Sequence, residues 1–193
     1  MRILFLSWEY PPDYIGGIGN YTRNAAEMLA SRGHAVTVLV GGQTSHTAEA
    51  DCGVRVVRVA CAHRAEFFSR ATAEVKRLHA AQPFDVAEAP ELGAEGSAVL
   101  DAASELPLLL RTHTPTALST EVDLRTWPRS ARALTLVRRL LGLVAGRTPA
   151  NSVAQAWHEL SPEIYLPAAS DPEWALAKHA TRLASPSRAL RRY

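Results

Sequence analysis

The sequence predicts an α/β domain with a mostly parallel sheet covered by helices on both faces. Three observations predict it. Short apolar runs bounded by proline or glycine recur at Ile3–Ser7, Ala35–Val40, Asp85–Ala89 and Pro107–Thr112. Between them lie segments whose apolar residues repeat at helical spacing. The first run passes into the first such segment through a glycine-rich turn, Gly16-Gly17-Ile18-Gly19.

Taken in order, Ile3–Ser7 is a buried strand, short and apolar. From Tyr21 onward, Ala25, Met28 and Leu29 form a helical stripe, with Asn20 as the expected N-cap and Gly33 as the C′ stop. Ala35–Val40 is the second strand, closed by Gly41-Gly42. Val54–Val59 alternates apolar residues with Arg55 and Arg58, the pattern of a third strand nearer the sheet edge. Phe67, Ala71, Val75 and Leu78 line a second helix that Pro83 ends. Asp85–Ala89 is a fourth strand, Gly93–Ser104 a third helix and Pro107–Thr112 a fifth strand. Beyond His113 the pattern loosens: Leu134–Val144 reads as a helix, 146–171 as loops and short turns, Glu173–His179 as a helix, and Ala180–Ala184 as a last strand. A further helix is expected to begin as the sequence reaches Arg191-Arg192-Tyr193.

At 193 residues and 47% hydrophobic composition, the chain buries a real core and reads as one domain, 1–193. A net charge of +2 gives no argument for nucleic acid. Cys52 and Cys61 are flanked by nothing that resembles a metal or redox motif, and two reduced thiols suit a cytoplasmic protein. No segment is long enough for a signal peptide or a membrane span. Arg125, Arg129, Arg132, Arg138 and Arg139 read first as a solvated helix face. Their second reading is peripheral contact with anionic lipid at the inner face of the membrane.

The glycine turn is the most informative stretch. A turn of this kind between a first strand and a first helix aims bare backbone N–H groups and the positive end of the helix dipole at one spot, which suits an anionic oxygen. A Cβ would obstruct both the turn and the approach of a ligand. The glycines alone fit a plain tight turn equally well, and it is the flanking Glu9-Tyr10-Pro11-Pro12 that favours a site. His113 ends the fifth strand on the carboxyl edge of the sheet, where open α/β folds bind ligands. Glu88 and Glu91 end the fourth strand at the same edge, within reach of a second ligand. Capping or packing suffices for His34, His46, His63, His79, His158 and His179, and Ser185 and Ser187 read as helix caps.

Six segments, in order, resemble the N-terminal half of a retaining glycosyltransferase of GT-B family four, the group-one glycosyl transferases. They are Met1-Arg2-Ile3-Leu4 through Glu9-Tyr10-Pro11-Pro12, Gly16-Gly17-Ile18-Gly19, Leu29–Val38, Asp85-Val86-Ala87-Glu88, Leu110-Arg111-Thr112-His113-Thr114-Pro115 and Ala184-Ser185-Pro186-Ser187. The resemblance implies a Rossmann-like three-layer domain, one half of a GT-B fold. It would carry the acceptor side of a cleft whose donor-binding half is not in these residues, and would be inactive alone. It implies that Gly16, Gly17 and Gly19 face the donor's diphosphate and that His113 faces the transferred sugar, with Thr114 beside it. Tyr10 and Asp13 match positions that line the acceptor pocket, and Glu88 is counted with them.

The implied substrates are a nucleotide sugar and a carbohydrate, lipid-linked or small-molecule hydroxyl acceptor, with no cofactor and no bound metal. No carboxylate stands out as a protein nucleophile; the resemblance implies front-face transfer, in which the donor phosphate deprotonates the acceptor. A dinucleotide-binding protein is disfavoured, because Tyr21 and Thr22 occupy the region of its third glycine and Gly41-Gly42 stands where its acidic residue would close the second strand. A phosphate-loop NTPase lacks its lysine. A non-catalytic module binding a glycan, a lipid headgroup or a protein is the remaining alternative.

Overall fold

The computed structural model describes residues 1–13, 16–42, 46–49, 52–113, 128–146 and 172–185. Thr114, Arg125, Ser187, the expected loops over 147–171 and the expected final helix lie outside the described residues. The contacts divide the chain into two compact units, Met1–His113 with Pro172–Tyr193, and Thr114–Asp171.

The first unit holds β1 (Arg2–Ser7), α1 (Gly17–Ser31), β2 (Ala35–Gly42), β3 (His46–Glu49), β4 (Arg55–Ala60), α2 (Arg64–Ala81), β5 (Val86–Pro90), a 3-10 turn (Leu92–Ala94), α3 (Ser97–Ala102) and β6 (Leu108–Arg111). In the second unit the described residues form α4 (Arg129–Val144), on which Leu134, Val137, Leu140, Leu141 and Val144 are exposed. Back in the first unit come α5 (Pro172–His179) and β7 (Arg182–Ala184). The seven strands form one sheet in the order β3-β4-β2-β1-β5-β6-β7. All neighbours are parallel except β3, which runs antiparallel to β4 at the margin. The chain winds outward from β1 to β2 and β4, then crosses to β5, β6 and β7. The order therefore reverses between β1 and β5, whose carboxyl ends open the crevice where such sheets bind ligands.

Strand periodicity accounts for the three layers. Along β1, Leu4 and Leu6 join Leu39, Phe67, Val75, Val99, Leu108, Leu110 and Leu176 in the core beneath α2, α3 and α5. Ile3 and Phe5 point the other way and meet Val36, Val38, Val40, Val54 and Ala26 beneath α1. Burial on both faces is why these strands read as continuous apolar runs rather than as alternating ones.

The structure departs from the sequence reading in several places. Gly16 rather than Asn20 is the N-cap of α1 and has no side chain with which to cap it; the carboxylate of Glu9 accepts from the Gly19 amide instead (3.3 Å), a capping role supplied from ten residues upstream. The single helix expected over Gly93–Ser104 is split, because Gly93 (φ 69°) and Ala94 (φ 53°) are both left-handed. β3 has no apolar run to announce it. Arg58, read as a polar residue of an edge strand, is 6% exposed: its guanidinium donates to the Pro11 carbonyl, meets Asp13 Oδ2 at 3.4 Å and lies over the Tyr10 ring, pinning the chain after β1. The expected stop at Gly33 holds, at φ 84°. His63 caps α2 by accepting from the Glu66 amide, and His79 accepts from the Phe84 amide.

The same substitution should read very differently at the centre and at the margin of this sheet. Leu4→Ala, at a fully buried position of β1, is expected to cost about 2–5 kcal/mol in urea denaturation. Leu183→Ala, on the exposed face of β7, is expected to cost less than about 0.5 kcal/mol.

Candidate functional site

On the face of the sheet that carries α1, two charged side chains stand where a parallel strand would normally place apolar ones. Glu88 lies inside β5, not at its end as the sequence reading had it, and Arg111 lies at the end of β6. Arg111 Nε donates to Glu88 Oε1 at 2.8 Å, and the Tyr21 hydroxyl donates to the same oxygen at 2.7 Å. Tyr21 comes from α1, and the Arg111 guanidinium sits 4.7 Å from its ring centroid. The pair is half-buried, and an ion pair drawn out of water needs hydrogen bonds to fill its remaining lone pairs; Tyr21 fills one. Burial, and then the bond to Glu88, hold the Tyr21 phenol far above its ordinary pKa, so it stays protonated and donating.

His113 completes the cluster. Its ring meets Tyr21 edge-to-face, with centroids 5.3 Å apart and planes at 70°. Its amide donates to Glu91 Oε1 at 2.7 Å, so the chain leaving β6 is held by the chain leaving β5. Burial, followed by the positive charge of Arg111, lowers the imidazole pKa below its ordinary value. Both effects favour the uncharged ring, in which one nitrogen donates and the other accepts. Phe5, Leu6, Tyr21, Thr22, Glu88 and Arg111 are among the residues that line a small cleft with His113, whose accessible volume of about 10 Å3 is the room of one water.

The glycines stand at the foot of the same helix. Gly17 opens α1, so Tyr21 is about 6 Å further along its axis. A Cβ on Gly17 would meet nothing within 4 Å, whereas one on Gly16 would collide with the Glu9 carboxylate. That carboxylate, received by the Gly19 amide, also lies 4.0 Å from Arg64. Arg64 Nε is 3.4 Å from Glu95, which accepts from the Trp8 amide at 2.7 Å. Burial pushes the Glu95 carboxyl up to about 7, against the pull of Arg64 and of the Trp8 amide.

The structure thus brings His113 and Glu88 together and sets Gly16, Gly17 and Gly19 on the helix that carries Tyr21. Two expected residues stand elsewhere. Tyr10 is 4% exposed and packs with Ile3, Phe5, Val38 and Val40, a correction to its expected place on an acceptor-facing wall: a phenol enclosed beneath α1 offers no face to a solute. Asp13 pairs with Arg58 near Gly42, on the β2–β4 side of β1, and does not line the cleft with His113. Tyr21 and Arg111 escaped the sequence reading as site residues. The signal available was a charge within each of two adjoining apolar strands, of opposite sign and on the same face. Glu95 gave no signal. Among the described residues, no group of three or more His, Cys, Asp or Glu is placed to hold a metal ion.

Sheet order, the switch between β1 and β5, and a polar cleft at the carboxyl edge define a Rossmann-like α/β domain of the kind that forms one lobe of a GT-B enzyme. The model of Glycosyltransferase Family 4 matches residues 15–163, and the chain belongs to that family. A 39-residue stretch is 54% identical to glycogen synthase of Mycobacterium tuberculosis, covering 20% of this chain and 9% of that protein. Another match, 39% identical over 59 residues, is to an uncharacterized glycosyltransferase of Methanocaldococcus jannaschii, covering 31% of this chain and 15% of the relative. These matches span only a small part of the curated relatives' length. Sucrose-phosphate synthase from Thermosynechococcus elongatus shares the fold, with a TM-score of 0.53 at 15% identity, over 70% of this chain and 39% of that one.

Glu95 makes the stability of the domain depend on pH in a definite sense. Between its usual 4.5 and about 7, the folded chain keeps a proton that the unfolded chain releases, so the contribution of this group to stability falls as pH rises through that window. Glu95→Gln still offers the Trp8 amide an oxygen but cannot ionise. Its melting temperature is expected to rise relative to wild type between pH 4.5 and pH 8; a constant difference across that range would show that Glu95 titrates normally.

Proposed function

We propose that this domain supplies the acceptor side of a retaining glycosyltransferase, which moves a sugar from a nucleotide-sugar donor to a hydroxyl acceptor. The second lobe would grip the nucleotide, and the present residues alone would not turn over. The observation that carries this reading is the placement of His113 in a cleft at the carboxyl edge, its ring against Tyr21, which lies about one helical turn from the glycine-led start of α1. An uncharged imidazole suits a sugar hydroxyl, because it can donate to one oxygen or accept from another.

As the bond from the anomeric carbon to the phosphate oxygen breaks, negative charge grows on that oxygen. Amides aimed there beforehand stabilise it without reorganising. At the Gly16–Gly19 turn the Gly19 amide receives the Glu9 carboxylate, so a donor phosphate would take up this amide only by displacing that side chain. In a front-face transfer the acceptor oxygen forms its bond to the anomeric carbon on the side the leaving group departs from, and its proton passes to the leaving diphosphate. No protein nucleophile and no resident metal ion are called for. Glu88 is committed to Arg111 and Tyr21, which argues for a role in shaping the cleft rather than in grasping the acceptor. A cytoplasmic location, with peripheral contact between the arginine-bearing α4 and anionic lipid, accompanies this reading.

The test uses the full-length protein, a panel of nucleotide sugars and hydroxyl acceptors, and two readouts, nucleoside diphosphate release and the anomeric configuration of the product. His113→Ala is expected to lower kcat/KM by about a hundredfold or more, with the melting temperature within about 2 °C of wild type. Chelation is expected to leave the rate unchanged. Wild-type turnover in a folded His113→Ala protein would remove the residue from the site.

A further inference from the structure

Tyr21 touches three other polar side chains of the cleft. Its hydroxyl bonds Glu88, its ring carries the Arg111 guanidinium, and its edge-to-face contact locates the His113 ring. The three residues come from α1, β5 and β6, so the cluster joins the glycine-led helix to the strand that delivers the histidine. We propose that Tyr21, Glu88 and Arg111 are positioning residues that fix the orientation of the His113 ring and the charges it faces, so that the imidazole meets the transferred sugar as a pre-oriented hydrogen-bonding group. The proposal rests on the reading of His113 given above and extends it to residues to which that reading assigns no part in transfer.

The geometry supports it on two counts. A histidine just past a strand end has free side-chain torsions unless something packs against it. Here the amide is fixed by Glu91 and the ring by Tyr21, which is itself fixed by two further contacts. The charges around the ring are also opposed. Arg111 on β6 disfavours an imidazolium, while Glu88 on β5 and Glu9 in the turn before α1 favour it; burial acts in the same sense as Arg111. Tyr21, on α1, is protonated, and Glu91 faces the main chain of residue 113. Because Arg111 and Glu88 are paired, removing either one leaves the other's effect on the ring unopposed. The two removals therefore push in opposite directions, which a salt bridge too remote to act on the ring would not do, and the loss of turnover expected of the Tyr21 variants separates a positioning role from a merely structural one.

The experiment follows the His113 ring by NMR in the full-length protein labelled at histidine, with His113→Gln to assign the signal, alongside steady-state kinetics. Arg111→Gln is expected to move the titration midpoint of His113 upward, Glu88→Gln to move it downward, and Arg111→Lys to return it toward wild type. Tyr21→Leu is expected to lower kcat at least tenfold with the nucleotide-sugar KM within twofold, and Tyr21→Phe, which keeps the ring, to lower it less. Midpoints that stay put, or that move the same way in both charge variants, would overturn the proposal. So would a Glu88→Gln protein that loses only acceptor affinity, since Glu88 would then be an acceptor contact. Opposed NMR shifts with turnover untouched by His113→Ala would leave the cluster intact and place the fault in the functional reading beneath it.

Discussion

Where parallel strands stop, their continuing chains carry amides that no neighbouring strand can satisfy, and here glutamate carboxylates take them. Glu95 receives the amide of Trp8 as the chain leaves β1, Glu91 that of His113 as it leaves β6, and Glu9 that of Gly19 at the first turn of α1. Glu173, on α5, does the same for Gly93. Where the acceptor is ionised such a bond is shorter and roughly twice as strong as a neutral one, whereas Glu95 holds its proton up to about pH 7. Several such carboxylates at one edge of a sheet repel each other, and Arg64, close to both Glu9 and Glu95, offsets part of that repulsion. The carboxyl edge is therefore a charged lattice tied across long sequence separations, and the polar cleft is built into it.

That arrangement explains which features the sequence disclosed. The strands were legible because burial on both faces makes Leu4, Phe5, Val38 and Leu110 part of uninterrupted apolar runs. The helices were legible where one stripe faces the sheet, as with Phe67, Ala71 and Val75. His113 was legible from position alone, since it follows a strand at the edge where ligands bind. The remainder depends on pairings that no spacing records. Glu9 caps a helix ten residues on, and Glu95 meets a tryptophan amide from the first strand. Tyr10 looks exposed beside two prolines and is in fact enclosed, because Arg58 draws the chain after β1 down against the sheet.

The pair formed by Glu88 and Arg111 shows how such a fold accommodates polarity without losing its core. Both residues occupy the face of β5 and β6 opposite Ala87, Ala89, Leu108 and Leu110, which remain wholly apolar. Alternation along a strand lets one face serve packing and the other serve chemistry. The cost of desolvating the two charges is offset by three hydrogen bonds and a ring contact.

A consequence follows from the way β6 and β7 are joined. They are adjacent and parallel in the sheet, with Thr112 bonded to Ala184, yet residues 114–171 intervene between them in the chain. The intervening polypeptide thus departs and returns at two moorings fixed in register by the sheet itself. Closure entropy grows slowly with contour length, about 0.6 kcal/mol for each doubling of a flexible connection. By that measure a change in the length of the excursion costs little in closure entropy, while the histidine at its point of departure stays where Glu91 holds its amide.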